Sequence, residues 1–143
     1  MDKEIIDILY GEETTKIYKD FQKIEEIVKN SNQLYLHFNE FIKMLKSDKS
    51  FIRVRGFRII CLLAKWDKDN KIESNIDILL STLDDDKPTS IRQHLKSLDT
   101  LLTYKPNLIN IVLNKIKTLN YTKFKDTMSP LIKKDIEYLL KKY

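Results

Sequence analysis

A motif that returns about every 40 residues constrains this chain more than any other feature of its sequence. Ile52-Arg53, Ile91-Arg92 and Ile132-Lys133 stand 39 and then 41 residues apart. Ile59, Leu98 and Leu139 follow those isoleucines at an interval of seven, and Leu63 and Leu102 follow the first two at eleven. Upstream, Leu45 with Asp48 and Leu83 with Asp86 repeat an apolar helix end followed by an acid. Intervals of seven and eleven return to one face of an α-helix, and a unit of this length holds two helices. Such a unit buries its apolar face only against its neighbours, so the chain should stack helix pairs.

The remaining spacing agrees with helix throughout. Ile17, Phe21, Ile24 and Val28 recur at four, three and four, as do Tyr35, Phe38, Ile42 and Leu45 at three, four and three. Two glycines and three prolines in 143 residues leave too little punctuation for a strand-and-turn protein. Pro88, Pro106 and Pro130 stand where helices should begin, Pro130 behind Ser129 as a predicted N-cap. Gly11 is predicted to end a first short helix in the left-handed conformation. The pattern predicts helices over 2–10, 13–29, 33–46, 51–66, 74–83, 88–104, 107–118 and 130–142. The segment 51–66 is apolar nearly all round and should be central and mostly buried.

An apolar helix end, an Asp, a short turn and then Ile-Arg leading a second apolar helix resembles the HEAT/armadillo superfamily over about residues 33–142. The stretches Ala64-Lys65-Trp66-Asp67, Thr103-Tyr104-Lys105-Pro106 and Phe124-Lys125-Asp126-Thr127-Met128-Ser129-Pro130-Leu131-Ile132-Lys133-Lys134-Asp135 are also similar to small bacterial HEAT-like proteins. Some of those carry a label from iron–sulfur cluster assembly, to which a single cysteine gives no chemical support. The resemblance implies an all-α, right-handed helical-repeat solenoid of about three helix pairs in one domain, with residues 1–30 as N-terminal cap helices. It implies the work of an adaptor or scaffold rather than an enzyme.

Cys61 lies within Ile59, Ile60, Cys61, Leu62, Leu63 and Ala64, so it reads as a small buried hydrophobe with no disulfide partner. That apolar run falls far short of the roughly 20 residues that span a bilayer. The start Met1-Asp2-Lys3-Glu4 has no basic region leading into an apolar stretch, so the expectation is a soluble chain in a reducing cytoplasm without a secretory leader. The net charge of +5 is uneven: residues 1–104 carry 17 basic and 18 acidic side chains, residues 105–143 carry 9 and 3. The excess is lysine, as codons of an AT-rich genome would also produce.

Constellations for chemistry are sparse. Gly11 and Gly56 are too far apart to form a phosphate-cradling loop. His37, His94 and Cys61 make no paired zinc spacing, and Asp67-x-Asp69 lacks the glycine and glutamate of a calcium loop, so no metal or cofactor is expected. The acids Asp84, Asp85 and Asp86 suit the positive end of the helix that follows. His37 reads as a structural histidine and not as a general base. Trp66 followed by Asp67 is the only similarity to the alkylpurine DNA glycosylases, HEAT-type repair enzymes that work through aromatic and acidic residues, and a lone tryptophan at a helix end is read as core.

Two binding surfaces follow. In a solenoid the second helices line the concave face, and the 39-residue period sets Arg55 beside His94 and Arg58 beside Ser97. These four are the predicted contact residues for a protein partner, while Arg53 and Arg92 are expected to bridge Asp48 and Asp86 within the turns. The alternative is a nucleic-acid surface of Lys115, Lys117, Lys123, Lys125, Lys133 and Lys134, interleaved with Tyr121 and Phe124.

Overall fold

The computed structural model describes residues 2–143. Helix makes up 75% of the chain and no strand occurs among the described residues, which places it in the all-helical class. The helices are α1 (Asp2–Leu9), α2 (Thr15–Asn30), α3 (Phe38–Met44), α4 (Ser50–Leu63), α5 (Lys71–Ser74), α6 (Ile76–Ser81), α7 (Pro88–Tyr104), α8 (Ile109–Ile116) and α9 (Ser129–Lys142). No helix among them is long and apolar enough to cross a membrane.

Local chemistry explains most boundaries. Thr14 caps α2, its Oγ1 accepting from the Ile17 amide at 3.1 Å, which satisfies one of the four amides a helix start leaves free. Pro88 opens α7 at its first position, where a missing amide costs nothing. Ser129 is not the N-cap of α9 but its first residue, behind Met128, and makes no capping bond. The predicted helix 74–83 starts earlier and breaks in two. The Asp67 carboxylate accepts from the Lys71 and Ile72 amides at 2.9 and 3.0 Å and so begins α5 at Lys71. Asn75, whose side-chain amide bonds back to the Lys71 carbonyl, then separates α5 from α6. Asn70 just before α5 is the one non-glycine residue with positive φ among the described residues, at 55°, a conformation asparagine tolerates better than most residues.

Gly11 is not left-handed, contrary to the sequence expectation; its amide closes the last turn of α1 on the Ile8 carbonyl. A Cβ there would come within 2.8 Å of Ile17 Cδ1, the movable end of a side chain, and 3.2 Å of the Ile8 carbonyl. Gly56 is the tighter position, where a Cβ would lie 2.7 Å from Met44 Cβ and 3.1 Å from the Phe41 carbonyl and so would push α4 off α3.

Helix α4 is the centre of the molecule, as its all-round apolarity predicts. Phe57, Ile59, Ile60, Cys61 and Leu63 are wholly buried, each large side chain contributing about 1.5–3 kcal/mol by leaving water. It packs on α2, α3 and α7, and α7 packs in turn on α9. Helices α2, α4, α7 and α9 therefore form a row, and their side-chain links show that they run the same way. Arg58 meets Glu25 and Trp66 Nε1 donates to the Val28 carbonyl at 2.7 Å; farther along, Arg92 meets Asp135 and Lys142 meets Asp99. Behind the row, α3 packs on α4, the turn after α6 on α7, and α8 on α9.

Candidate functional site

The row of helices presents a groove of about 620 Å³ where α2, α4 and α7 begin. Its floor and rim come from the three helix starts, Thr14-Thr15, Ser50-Phe51 and Lys87 with Thr89 and Ser90, with Arg55 and Arg58 one to two turns farther along α4. Arg58 and Gln93 carry the surface into a second recess of about 140 Å³ between α2, α4 and α7. Gln93 and Lys96 carry it on into a third, of about 350 Å³, between α7 and α9. Tyr18 stands at the open edge of the groove, 60% exposed. Because three helices point their starts at one place, their positive dipole ends add there, while Thr14 already caps α2 and Asp85 accepts from the Lys87 amide at the start of α7.

Arg55 anchors the groove from inside. Its Nη1 donates to the Leu9 carbonyl at 2.9 Å and to the Gly11 carbonyl at 2.6 Å, closing the C-terminal end of α1, and its guanidinium lies over the Phe51 ring at 5.0 Å. Burial pulls the guanidinium below its ordinary pKa, with Glu13 and Glu12 acting the other way. Arg58 donates Nη2 to Glu25 of α2 at 2.7 Å and lies 5.5 Å over the Phe21 ring.

The four predicted contact residues do not form one exposed polar patch. Arg55 and Arg58 share the groove, and Arg58 and Ser97 share the second recess. His94 is the correction: it is 0% exposed, packed against Phe57 with the rings tilted by 46° and their centroids 4.6 Å apart, and its Nε2 lies 3.4 Å from Asp85 Oδ2. Its Nδ1 has no hydrogen-bond partner among the described residues. Ser97 is half-buried and donates to the Gln93 carbonyl of its own helix.

The motif arginines also reach other acids than expected. Arg53 grips both oxygens of Asp85 and donates Nη1 to the Ser47 carbonyl, with Asp86 at 3.7 Å, and Arg92 grips Asp135. Neither Asp48 nor Asp86 is the principal partner: Arg53 holds the Ser47 carbonyl of its own turn while its other edge reaches Asp85 in the loop before α7, and Arg92 reaches Asp135 on α9. Burial alone would push the Asp85 carboxyl up; hydrogen bonds from His94, Arg53 and the Lys87 amide outweigh it and hold it well below the usual carboxylate range. Burial likewise holds His94 below its ordinary value, against the pull of Asp85. The acid run is thus divided: Asp84 pairs with Lys115 at 2.7 Å while Asp85 serves Arg53, His94 and the start of α7.

The basic last third is less free than its charge suggests. Lys115 is spent on Asp84 and Lys133 faces Glu137 at 4.0 Å, whereas Lys117, Lys123, Lys125 and Lys134 are exposed and make no ion pair among the described residues. Tyr121 and Phe124 are half-buried against the core, and the Lys123 ammonium lies 5.2 Å over the Phe124 ring. His37 bonds Asp2 at 2.8 Å, and Cys61 is buried with its thiol pushed up by burial. Sequence reasoning missed Tyr18, Lys87, Ser90 and Gln93 of the groove. One available signal was that Lys49-Ser50 and Lys87-Pro88 open helices 38 residues apart, within one residue of the motif's period. Among the described residues no group of three or more His, Cys, Asp or Glu could hold a metal ion. Comparison with protein-family models, with curated proteins and with solved structures found no match to this chain.

Proposed function

We propose that this chain is a HEAT-like helical-repeat adaptor that binds a protein partner on the face formed by α2, α4, α7 and α9. The observation that carries the reading is the run of three connected recesses along that face, joined through Arg58, Gln93 and Lys96. An extended surface of this kind suits a segment of another macromolecule better than a small molecule. Side-chain links at about one repeat length support the solenoid. Trp66 donates to the Val28 carbonyl and Lys105 to the Asp67 carbonyl, each across 38 residues, a regular spacing of the kind stacked repeats produce.

The test uses exposed groove residues, because Arg55 holds α1 and its loss would unfold more than the face. Tyr18→Ala combined with Gln93→Glu leaves the core intact, as exposed changes typically cost under about 0.5 kcal/mol. Affinity capture followed by mass spectrometry should return a specific partner with the native chain and lose it with the folded double variant. Equal recovery of that partner would remove the face from the account.

A further inference from the structure

The groove holds more hydrogen-bonding capacity than the protein itself uses. Arg55 is 8% exposed, yet it makes no ion pair among the described residues, and all its hydrogen bonds leave from Nη1. Its Nε and Nη2 form the edge of the guanidinium that takes an oxyanion side-on with two parallel bonds, and that edge is unclaimed. Neither atom is sealed from solvent, since among the described residues the only buried side-chain nitrogen or oxygen without a partner is His94 Nδ1. Arg55 is one of the residues that line the groove.

Ser90 repeats the observation independently. It is 4% exposed, lines the same groove, and its hydroxyl makes no hydrogen bond among the described residues. Around these two stand Lys87, exposed and without an ion pair among the described residues, the Thr89 hydroxyl, and the starts of α4 and α7, neither of which has a side-chain cap. Burying an arginine is costly unless a counter-charge meets it, and uncapped helix starts favour anions. Glu13 on the rim is the one unpaired acid lining the groove; it does not hydrogen-bond Arg55.

From this we infer that the groove is an oxyanion socket, and that its occupant is an acidic segment of a protein partner. A carboxylate or phosphate of the segment sits on Arg55 Nε and Nη2, with Lys87, Ser90 and the α7 start completing the shell. The inference rests on the interaction-face reading and specifies the chemistry of what that face takes. The apolar walls from Phe51, Val54 and Tyr18 suit the backbone and stem of such a segment, and the connected recesses continue past Gln93. A phosphate and a carboxylate share this chemistry, so the probes separate them.

The experiment titrates the folded full-length chain with three probes: inorganic phosphate, a short peptide carrying one phosphoserine, and the same peptide with glutamate at that position. Binding is followed by nuclear magnetic resonance at the Arg55 Nε–H and at the Thr89 and Ser90 amides. The expected result is saturable shifts at all three, with at least one peptide binding about tenfold more tightly than inorganic phosphate because its stem fills the groove. Lys87→Ala should weaken that binding about fivefold and Glu13→Gln should tighten it by a similar factor, both at exposed positions. Arg55→Lys keeps a donor for the α1 carbonyls while losing the fork, and should weaken binding more than Lys87→Ala does. Absence of shift at Arg55 Nε–H, or no response to Glu13→Gln, overturns the socket. Free phosphate binding as tightly as either peptide, or a single-stranded DNA oligonucleotide displacing both, overturns the protein segment as occupant. Any of these failures leaves the interaction face itself to be judged by a contact assay that does not depend on charge.

Discussion

Arg53 of α4 and Asp85, 32 residues later, form a two-pronged ion pair, Nε to Oδ2 at 3.1 Å and Nη2 to Oδ1 at 3.0 Å, that ties α4 to the loop before α7. The Asp85 side chain is completely buried and Arg53 largely so, whereas the pair that ties α7 to α9, Arg92 with Asp135, is partly exposed on both sides. Removing one partner of a buried pair strands the other charge out of water, whereas an exposed pair is replaced by solvent at little cost. Arg53→Ala should therefore lower unfolding free energy by about 3 kcal/mol. Arg92→Ala should cost under about 1 kcal/mol. Urea denaturation of the two variants in parallel checks the contrast; equal losses would mean that burial does not set the strength of these links.

Acid should destabilise the fold through the same cluster. Folded His94 sits below its ordinary value of 6.5, so below that pH the unfolded chain takes up a proton that the folded chain refuses. Asp85 adds to this below its ordinary 3.8, for the same reason. Stability should rise with pH through the His94 window and fall progressively as pH drops from about 6.5. The urea midpoint of the native chain should accordingly decline between about pH 7 and pH 5, and that decline should flatten in His94→Phe. An unchanged slope in the variant would assign the effect elsewhere.

Gly56→Ala tests how closely α3 and α4 approach. Alanine gains about 0.5–1 kcal/mol of helix propensity over glycine. A Cβ at this point, however, would lie 2.7 Å from Met44 Cβ and 3.1 Å from the Phe41 carbonyl, and overpacking of a dense core typically costs about 1–3 kcal/mol. The net expectation is a loss of about 1 kcal/mol, read as a lower thermal midpoint. Stabilisation would show that the two helices can separate freely.

Much of the architecture is legible in the apolar spacing, because burial repeats with the helix turn. The centrality of α4, the core role of Trp66 and the burial of Cys61 all follow from it. The candidate site was less legible, and partly for an avoidable reason. His94 lies three residues after Ile91 and four before Leu98, on the buried stripe of α7, and Arg55 lies in the same way between Ile52 and Ile59 on α4. The period between helices placed the two side by side, while the period within each helix placed both inward, and burial follows the second. The partners of Arg53 and Arg92 depend on how neighbouring helices are rotated about their axes, which no single-helix spacing encodes. The contribution of α2 escaped notice because that helix lies outside the repeated motif.

The most direct measurement of the central claim places a photo-crosslinking amino acid at Gln93, which borders all three recesses, and separately at Asp77, an exposed residue of α6 away from the row. Irradiation in the native cell extract should yield one discrete protein adduct from position 93 and none from position 77. Adducts of the same protein at both positions, or at position 77 alone, would contradict the assignment of the α2, α4, α7 and α9 face as the surface through which this protein acts.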